Sequence, residues 1–199
     1  MLALSLLFLF GCQSLERDNV YDPYGNNYIG GILPYQGQNY KTVQIGTQTW
    51  MAENLNYDAS GSKCYDNDPS NCATYGRLYD WETANAVCPS GWHLPSDEDW
   101  TTLTDYVGGA STAGSKLKAA RGWDSNGNGS DAHSFSALPG GSGNSSGSFG
   151  NVGSFGNWWS STEYNATYAY NRGMDYHGGN VVRNYYSKSS LYSVRCLRD

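Results

Sequence analysis

Four cysteines in the body of the chain, Cys64, Cys72, Cys88 and Cys196, narrow the folds open to it more than any other feature. None stands in a Cys-x-x-Cys pair, the close spacing on which zinc sites are commonly built. An even number of cysteines in an exported chain reads as disulfides instead. Any of three pairings is open to such a set. Cys64 and Cys72 bracket the turn-forming stretch YDNDPSN, which a local bridge closes easily. That choice leaves Cys88 with Cys196, tying the C-terminus to the middle of the domain. In the chain-entropy picture so long a loop is worth roughly 4–5 kcal/mol.

Export is read from the N-terminus. Residues 1–11, MLALSLLFLFG, form an apolar run. A membrane span needs about 20 residues, so this run suits the apolar region of a signal peptide. Leu9-Phe10-Gly11-Cys12 resembles a bacterial lipobox, in which Cys12 is lipidated and becomes the mature N-terminus. Phe10 is bulkier than usual there, and no Lys or Arg precedes the run. Acyl chains on Cys12 would hold the protein on a membrane without crossing it. The expected location is the bacterial cell envelope, lipid-anchored, at the outer membrane or cell surface. Residues 12–39 mix Gly, Asn, Tyr and Pro without a period and are expected to be a flexible tether.

The chain is acidic, with 12 Lys+Arg against 18 Asp+Glu. That balance argues against a nucleic-acid partner, because phosphate needs a cationic face. Its 199 residues suit one domain plus a tail. Tyr (17) and Trp (7) outnumber Phe (5), and aromatics with polar handles gather where proteins touch ligands.

Residues 42–46 and 49–51 read as strands around a turn. Leu78, Trp81 and Ala84 predict a short helix over 77–87, stopped by Cys88-Pro89. Ser96-Asp97-Glu98-Asp99 is a capping box opening a helix over 97–107, with Trp100, Leu103, Thr104 and Val107 as its buried stripe. A further helix is expected over 112–120. Residues 121–157 are rich in Gly, Ser and Asn and predict a long irregular region. Short antiparallel strands are expected near 158–162, 168–171, 180–183 and 193–197. The fold class is α+β.

Several strings fall in a specific order: Thr49-Trp50-Met51-Ala52-Glu53-Asn54-Leu55, Tyr75-Gly76-Arg77-Leu78-Tyr79, Cys88-Pro89-Ser90-Gly91-Trp92-His93-Leu94-Pro95, Phe135-Ser136-Ala137-Leu138-Pro139-Gly140-Gly141, Trp159-Ser160-Ser161-Thr162 and Ser193-Val194-Arg195-Cys196. This series resembles the Fibrobacter succinogenes major paralogous domain family over about residues 40–199. The resemblance implies a C-type-lectin-like fold: short helices, a small antiparallel sheet, a long loop region as ligand face and a disulfide staple. A Cys88–Cys196 bridge is consistent with that fold. The related formylglycine-generating enzymes need reactive cysteines, so their chemistry is not carried over to cysteines expected in bridges.

No nucleophile, metalloprotease or phosphate-loop pattern is present. His93 is expected to be structural, and His133 and His177 sit in polar loops. The chain is therefore expected not to be an enzyme. Asp124, Asn126, Asn128 and Asp131 match the first half of a calcium loop, but Phe135 stands where the closing Glu of an EF-hand would fall. No other cofactor is suggested.

Residues 157–199 carry seven Tyr, five Asn and six Ser, the mix that recognition surfaces use. The expected ligand-binding residues are Tyr168, Tyr170, Asn171, Asp175, Tyr176, His177, Asn180, Arg183, Asn184, Tyr185, Tyr186 and Tyr192. One of Trp158 and Trp159 is expected in the core, since neighbours on a strand face opposite ways. Codons for this residue set interconvert by changes at adenine, and Tyr164–Tyr192 resembles the variable region of lectin-like lipoproteins diversified by retroelements. The leading expectation is an anchored module binding a protein or glycan. An envelope enzyme and a structural surface-layer protein are the alternatives.

Overall fold

The computed structural model describes residues 30–199. The expected signal peptide, the lipidated Cys12 and residues 12–29 of the tether lie outside the described residues. The rest of that tether is structured. Strands β1 (Gly30–Tyr35) and β2 (Gln38–Ile45) pair antiparallel from Gly30↔Val43 to Tyr35↔Gln38. Gln36 and Gly37 turn between them, both at positive φ, as a tight hairpin of right-handed twist demands. Leu33 and Tyr35 then pack on the core, and the Tyr35 hydroxyl donates to the Val87 carbonyl at 3.0 Å. Gly30, Gly31 and Pro34 break the period of this strand, and its edge position tolerates all three.

β3 (Gln48–Met51) follows through a turn at Gly46. Helix α1 (Pro69–Tyr75) comes next, capped by Asp68, which accepts from the Ser70 amide at 2.8 Å. α2 (Trp81–Ala86) is capped by Asp80 and is shorter than expected. Leu78 and Tyr79 are taken instead by bridges to Lys63 and Tyr192. β4 (Trp92–His93) precedes α3 (Asp97–Tyr106), which begins with the expected capping box: Ser96 accepts from the Asp99 amide, and Asp99 accepts from the Ser96 amide. α4 (Ala110–Leu117) starts and stops earlier than expected, since Lys118 turns extended and bridges Ala137.

A 3-10 helix at Asp124–Asn126 and the two-residue strands β5 (Ser142–Gly143) and β6 (Phe149–Gly150) interrupt the irregular middle. β7 (Phe155–Glu163), β8 (Tyr168–Asp175) and β9 (Val182–Ser187) form an antiparallel sheet. β10 (Leu197–Arg198) closes the chain between β3 and β4, giving a sheet of order β1-β2-β3-β10-β4. The architecture is thus mixed, with short helices and antiparallel sheets. Both disulfides form, Cys64–Cys72 with Cα atoms 5.0 Å apart and Cys88–Cys196 with Cα atoms 5.8 Å apart.

Strand β7 separates two cores. Trp158 packs on one side with Trp50, Trp100, Leu103, Leu117, Phe135 and Met174. Trp159 packs on the other with Met51, Leu55, Tyr79, Leu94, Tyr192 and Cys196. Both tryptophans are therefore fully buried, not one of the two. Alternation is obeyed, but each face of the strand is covered. Each indole finds a partner: Trp158 donates to Asn54 Oδ1 at 2.9 Å and Trp159 to the Tyr79 carbonyl at 2.8 Å. Arg195 is also fully buried, donating to Asn54 Oδ1 and to the carbonyls of Met51, Phe135 and Ser136. Its guanidinium lies over the Phe135 ring at 4.3 Å. It thereby pins the irregular middle to the first sheet.

Candidate binding face

The β7–β8–β9 register sorts the C-terminal tyrosines. Met174, Arg172, Tyr170 and Tyr168 follow one another along one face of β8, in line with Trp158 and the first core. Across β9, Arg183 pairs with Arg172 and Tyr185 with Tyr170 on the same face. Helix α3 covers the Met174 end. Beyond its N-terminus the face continues as tyrosine, with Tyr168 and Tyr185 exposed among the described residues.

This uncovered end is an interlocked comb. Tyr164, in the β7–β8 turn, folds back and stacks on Tyr185 with centroids 4.0 Å apart and planes 6° apart. Tyr170 and Tyr168 meet these rings edge-on, at 5.6 Å from Tyr164 and 6.1 Å from Tyr185 respectively. Tyr168, Tyr185 and Tyr164 are 40%, 49% and 47% exposed. Edge-to-face and offset contacts hold aromatic rings in fixed poses, so the comb is preorganised before any ligand arrives.

Its inner boundary is ionic. Asp97, the first residue of α3, accepts from Arg172 on one carboxylate oxygen and from Arg183 Nε at 2.8 Å on the other. Arg172 is buried and also donates to the Asp97 carbonyl and to Thr101 Oγ1. Burial pushes its guanidinium below the usual value, and the bond to Asp97 opposes that shift. Arg183 is half exposed and lies 3.7 Å over the Tyr170 ring. A carboxylate at a helix N-terminus is favoured by the helix dipole, so Asp97 is a firm anchor for both arginines.

The expected ligand residues do not all gather here. Tyr168, Tyr170, Arg183 and Tyr185 form the comb with Tyr164. Tyr186 is exposed but lies on the opposite face, edge-on to Tyr192 at 5.7 Å. Asn184 is exposed on that face as well. Two expectations are corrected. Asn171 is fully buried against the second core, its amide donating to Asn157 Oδ1 at 3.3 Å. Tyr192 is 5% exposed and packs on Trp159 with centroids 4.6 Å apart.

Asp175 ends β8, about 23 Å along the strand from Tyr168 at the usual rise per residue, and Tyr176, His177 and Asn180 belong to the β8–β9 turn that follows. There Asp175 accepts from the amides of His177 and Gly178, and Tyr176 packs on the first core. The turn docks on α4, where the Val181 amide donates to the Ala110 carbonyl. Sequence reading passed over Tyr164 and Asp97. Nothing local marks a turn tyrosine that folds back or a first-turn helical acid that reaches the sheet.

The calcium expectation meets a different arrangement. Asp124 accepts from the Ser154 hydroxyl, Asn128 from the Trp123 amide and Asp131 from the amide and hydroxyl of Ser136, while Asn126 sits at positive φ in the same loop. Their oxygens serve separate turns instead of converging. Burial pushes the Asp131 carboxyl upward, with the Ser136 bonds opposing. Among the described residues no group of three or more His, Cys, Asp or Glu could hold a metal ion. His93 ties β4 to the chain end through Asp199, Nδ1 to Oδ1 at 2.6 Å.

The family model of the Fibrobacter succinogenes major domain matches residues 43–198, and the chain belongs to that family. The match begins in β2 and ends in β10, so it takes in both cores, both disulfides and the comb. No curated protein and no solved structure matches the chain.

Proposed function

We propose that the protein is a lipid-anchored component of the bacterial cell envelope that presents the tyrosine comb to a macromolecular ligand, protein or glycan, and that it performs no catalysis. One observation carries this reading. Four tyrosines at the end of one sheet face are held in mutual contact with their rings open to solvent or under a half-exposed arginine. Such rings cost little entropy to fix and offer large contact area, which is why recognition surfaces favour them. The C-type-lectin-like fold is part of the proposal, supported by the terminal staple. Formylglycine-type chemistry is disfavoured, because the four cysteines among the described residues are paired in disulfides. Lipidation at Cys12 would set the domain at a membrane surface.

The comb spans the stretch in which diversification by a retroelement is proposed, and adenine-directed changes there would alter contact residues while sparing Trp158, Trp159 and Arg195. A near-copy of this gene segment differing only at adenines, beside a reverse transcriptase, is the expected genomic sign. The direct test is a glycan array and a pull-down from envelope extract, run on the wild type and on Tyr168→Ala/Tyr185→Ala. Ligands captured by the wild type and lost by the folded variant support the proposal. Identical capture by both would overturn it.

A further inference from the structure

A second concavity lies away from the comb, between the β1–β2 turn and α1. Its volume is about 400 Å³, within the range of small-molecule sites. Its walls carry Gln36, Gln38, Asn56, Tyr57, Asp58 and Arg77, with the Cys64–Cys72 bridge and Pro69 along one side. We infer that this groove binds a neutral sugar unit, independently of the comb.

The backbone around Asn56 is fixed. Its carbonyl accepts from Gln38 Nε2 at 3.1 Å, and its amide donates to the Tyr40 hydroxyl at 3.2 Å. The side-chain Oδ1 is buried and has no hydrogen-bond partner among the described residues. Buried amide oxygens are normally satisfied, so a hydroxyl donor would complete Asn56 when its side chain turns toward the groove it lines. Gln36 and Gln38 are exposed, and each carries donors and an acceptor on one planar amide, which matches the alternating needs of vicinal hydroxyls.

Charge narrows the ligand class. Arg77 and Asp58 are paired at 2.8 Å, so the groove carries both signs and no surplus. An anion would have to compete with Asp58 for the guanidinium, and a cation with Arg77 for the carboxylate. A neutral polyhydroxylated ligand can bond to the pair without breaking it. Tyr57 stands edge-on to Tyr35 at 5.5 Å and supplies an aromatic surface for the C–H side of a sugar ring. The disulfide joins α1 to the loop before it, so the wall is rigid without a ligand.

The test is an NMR titration of the full chain with glucose, galactose, mannose, xylose and N-acetylglucosamine, each added separately, with galacturonate as the charged control. Saturable shifts of the Gln36, Gln38 and Asn56 side-chain amide signals with at least one neutral sugar are expected. Asp58→Asn should weaken that binding about tenfold, the scale of one charge-assisted hydrogen bond. Gln38→Ala, at an exposed position, should weaken it with the fold retained. Tyr185→Ala should leave it unchanged, which separates this groove from the comb. The inference is overturned if none of the sugars moves these signals, if the shifts fall on β8 and β9 instead, or if galacturonate binds more tightly than every neutral sugar.

Discussion

Tyr79 and Tyr185 are the same residue put to opposite uses. Tyr79 is fully buried in the second core, and its hydroxyl donates to the carbonyls of Tyr57 at 2.8 Å and Leu55 at 3.3 Å. Tyr185 is 49% exposed, stacks on Tyr164 and has its hydroxyl in none of the hydrogen bonds that organise the core. In the first region tyrosine acts as a long apolar wedge with one satisfied polar tip. In the second its ring is a contact surface fixed only by other rings. The difference lies in what covers the sheet and the strands beside it, since propensity is the same for both.

The comparison can be broken most severely at the staple beneath the covered tyrosines. Cys88→Ser/Cys196→Ser opens a link across 108 residues, and Cys64→Ser/Cys72→Ser opens one across 8. The first pair is expected to cost about 4–5 kcal/mol and the second about 2–3 kcal/mol. Urea unfolding of both double variants measures the gap; equal losses would show that the terminal staple does not organise the second core.

Next comes Trp159→Ala, which removes the ring under Tyr192 and should cost about 3–5 kcal/mol in the same assay. A smaller effect, about 1 kcal/mol, is expected for Tyr79→Phe, which loses the phenol's hydrogen bond while the Leu55 and Tyr57 carbonyls keep the backbone amides of Arg77 and Ala59 as donors. That variant also carries a pH signature. Burial raises the phenols of Tyr79 and Tyr192 above the ordinary value of 10.0. The unfolded chain therefore gives up those protons first. The stabilisation is complete below the ordinary phenol range and is lost as pH rises through it toward the folded values. Stability should fall on the alkaline side, and Tyr79→Phe should flatten that fall. An unchanged slope would mean that Tyr79 is not enclosed as described.

The smallest effect sharpens the contrast. Tyr185→Ala should change folding stability by no more than about 1 kcal/mol, since only ring contacts at the surface are lost. A loss as large as that of Trp159→Ala would make the comb part of the core and end its reading as a binding face.

Much of the frame was legible because it is local. The Ser96–Asp99 capping box lies within one helical turn, and the Cys64–Cys72 bridge closes a short loop, so neighbours in sequence are neighbours in space. Helix α1 was read as a turn because Asp68-Pro69 opens both kinds of structure; Pro at the first helical position is as natural as Pro in a turn. Strand β1 exists through its pairing with β2, which no feature of Gly30-Gly31-Ile32 announces. The candidate site was legible in composition but not in membership. Tyr168, Tyr170 and Tyr185 were expected and belong to it, whereas Asn171 and Tyr192 were expected and are buried.

The sequence by itself determined the family, the ease of a local Cys64–Cys72 bridge, the cap of α3 and the alternation that sends Trp158 and Trp159 to opposite sides of a strand. Tertiary structure alone decided which side and which end of that sheet remain open. Alternation states that residues two apart share a face, but covering a face requires groups from distant segments. Helix α3 hides Met174 and Arg172 and stops short of Tyr170. Arg195 and the irregular middle close the first core, and Cys196, bridged to Cys88 just before β10, closes the second. Exposure is a property of what arrives from elsewhere in the chain, and so the comb appears only once the chain is folded.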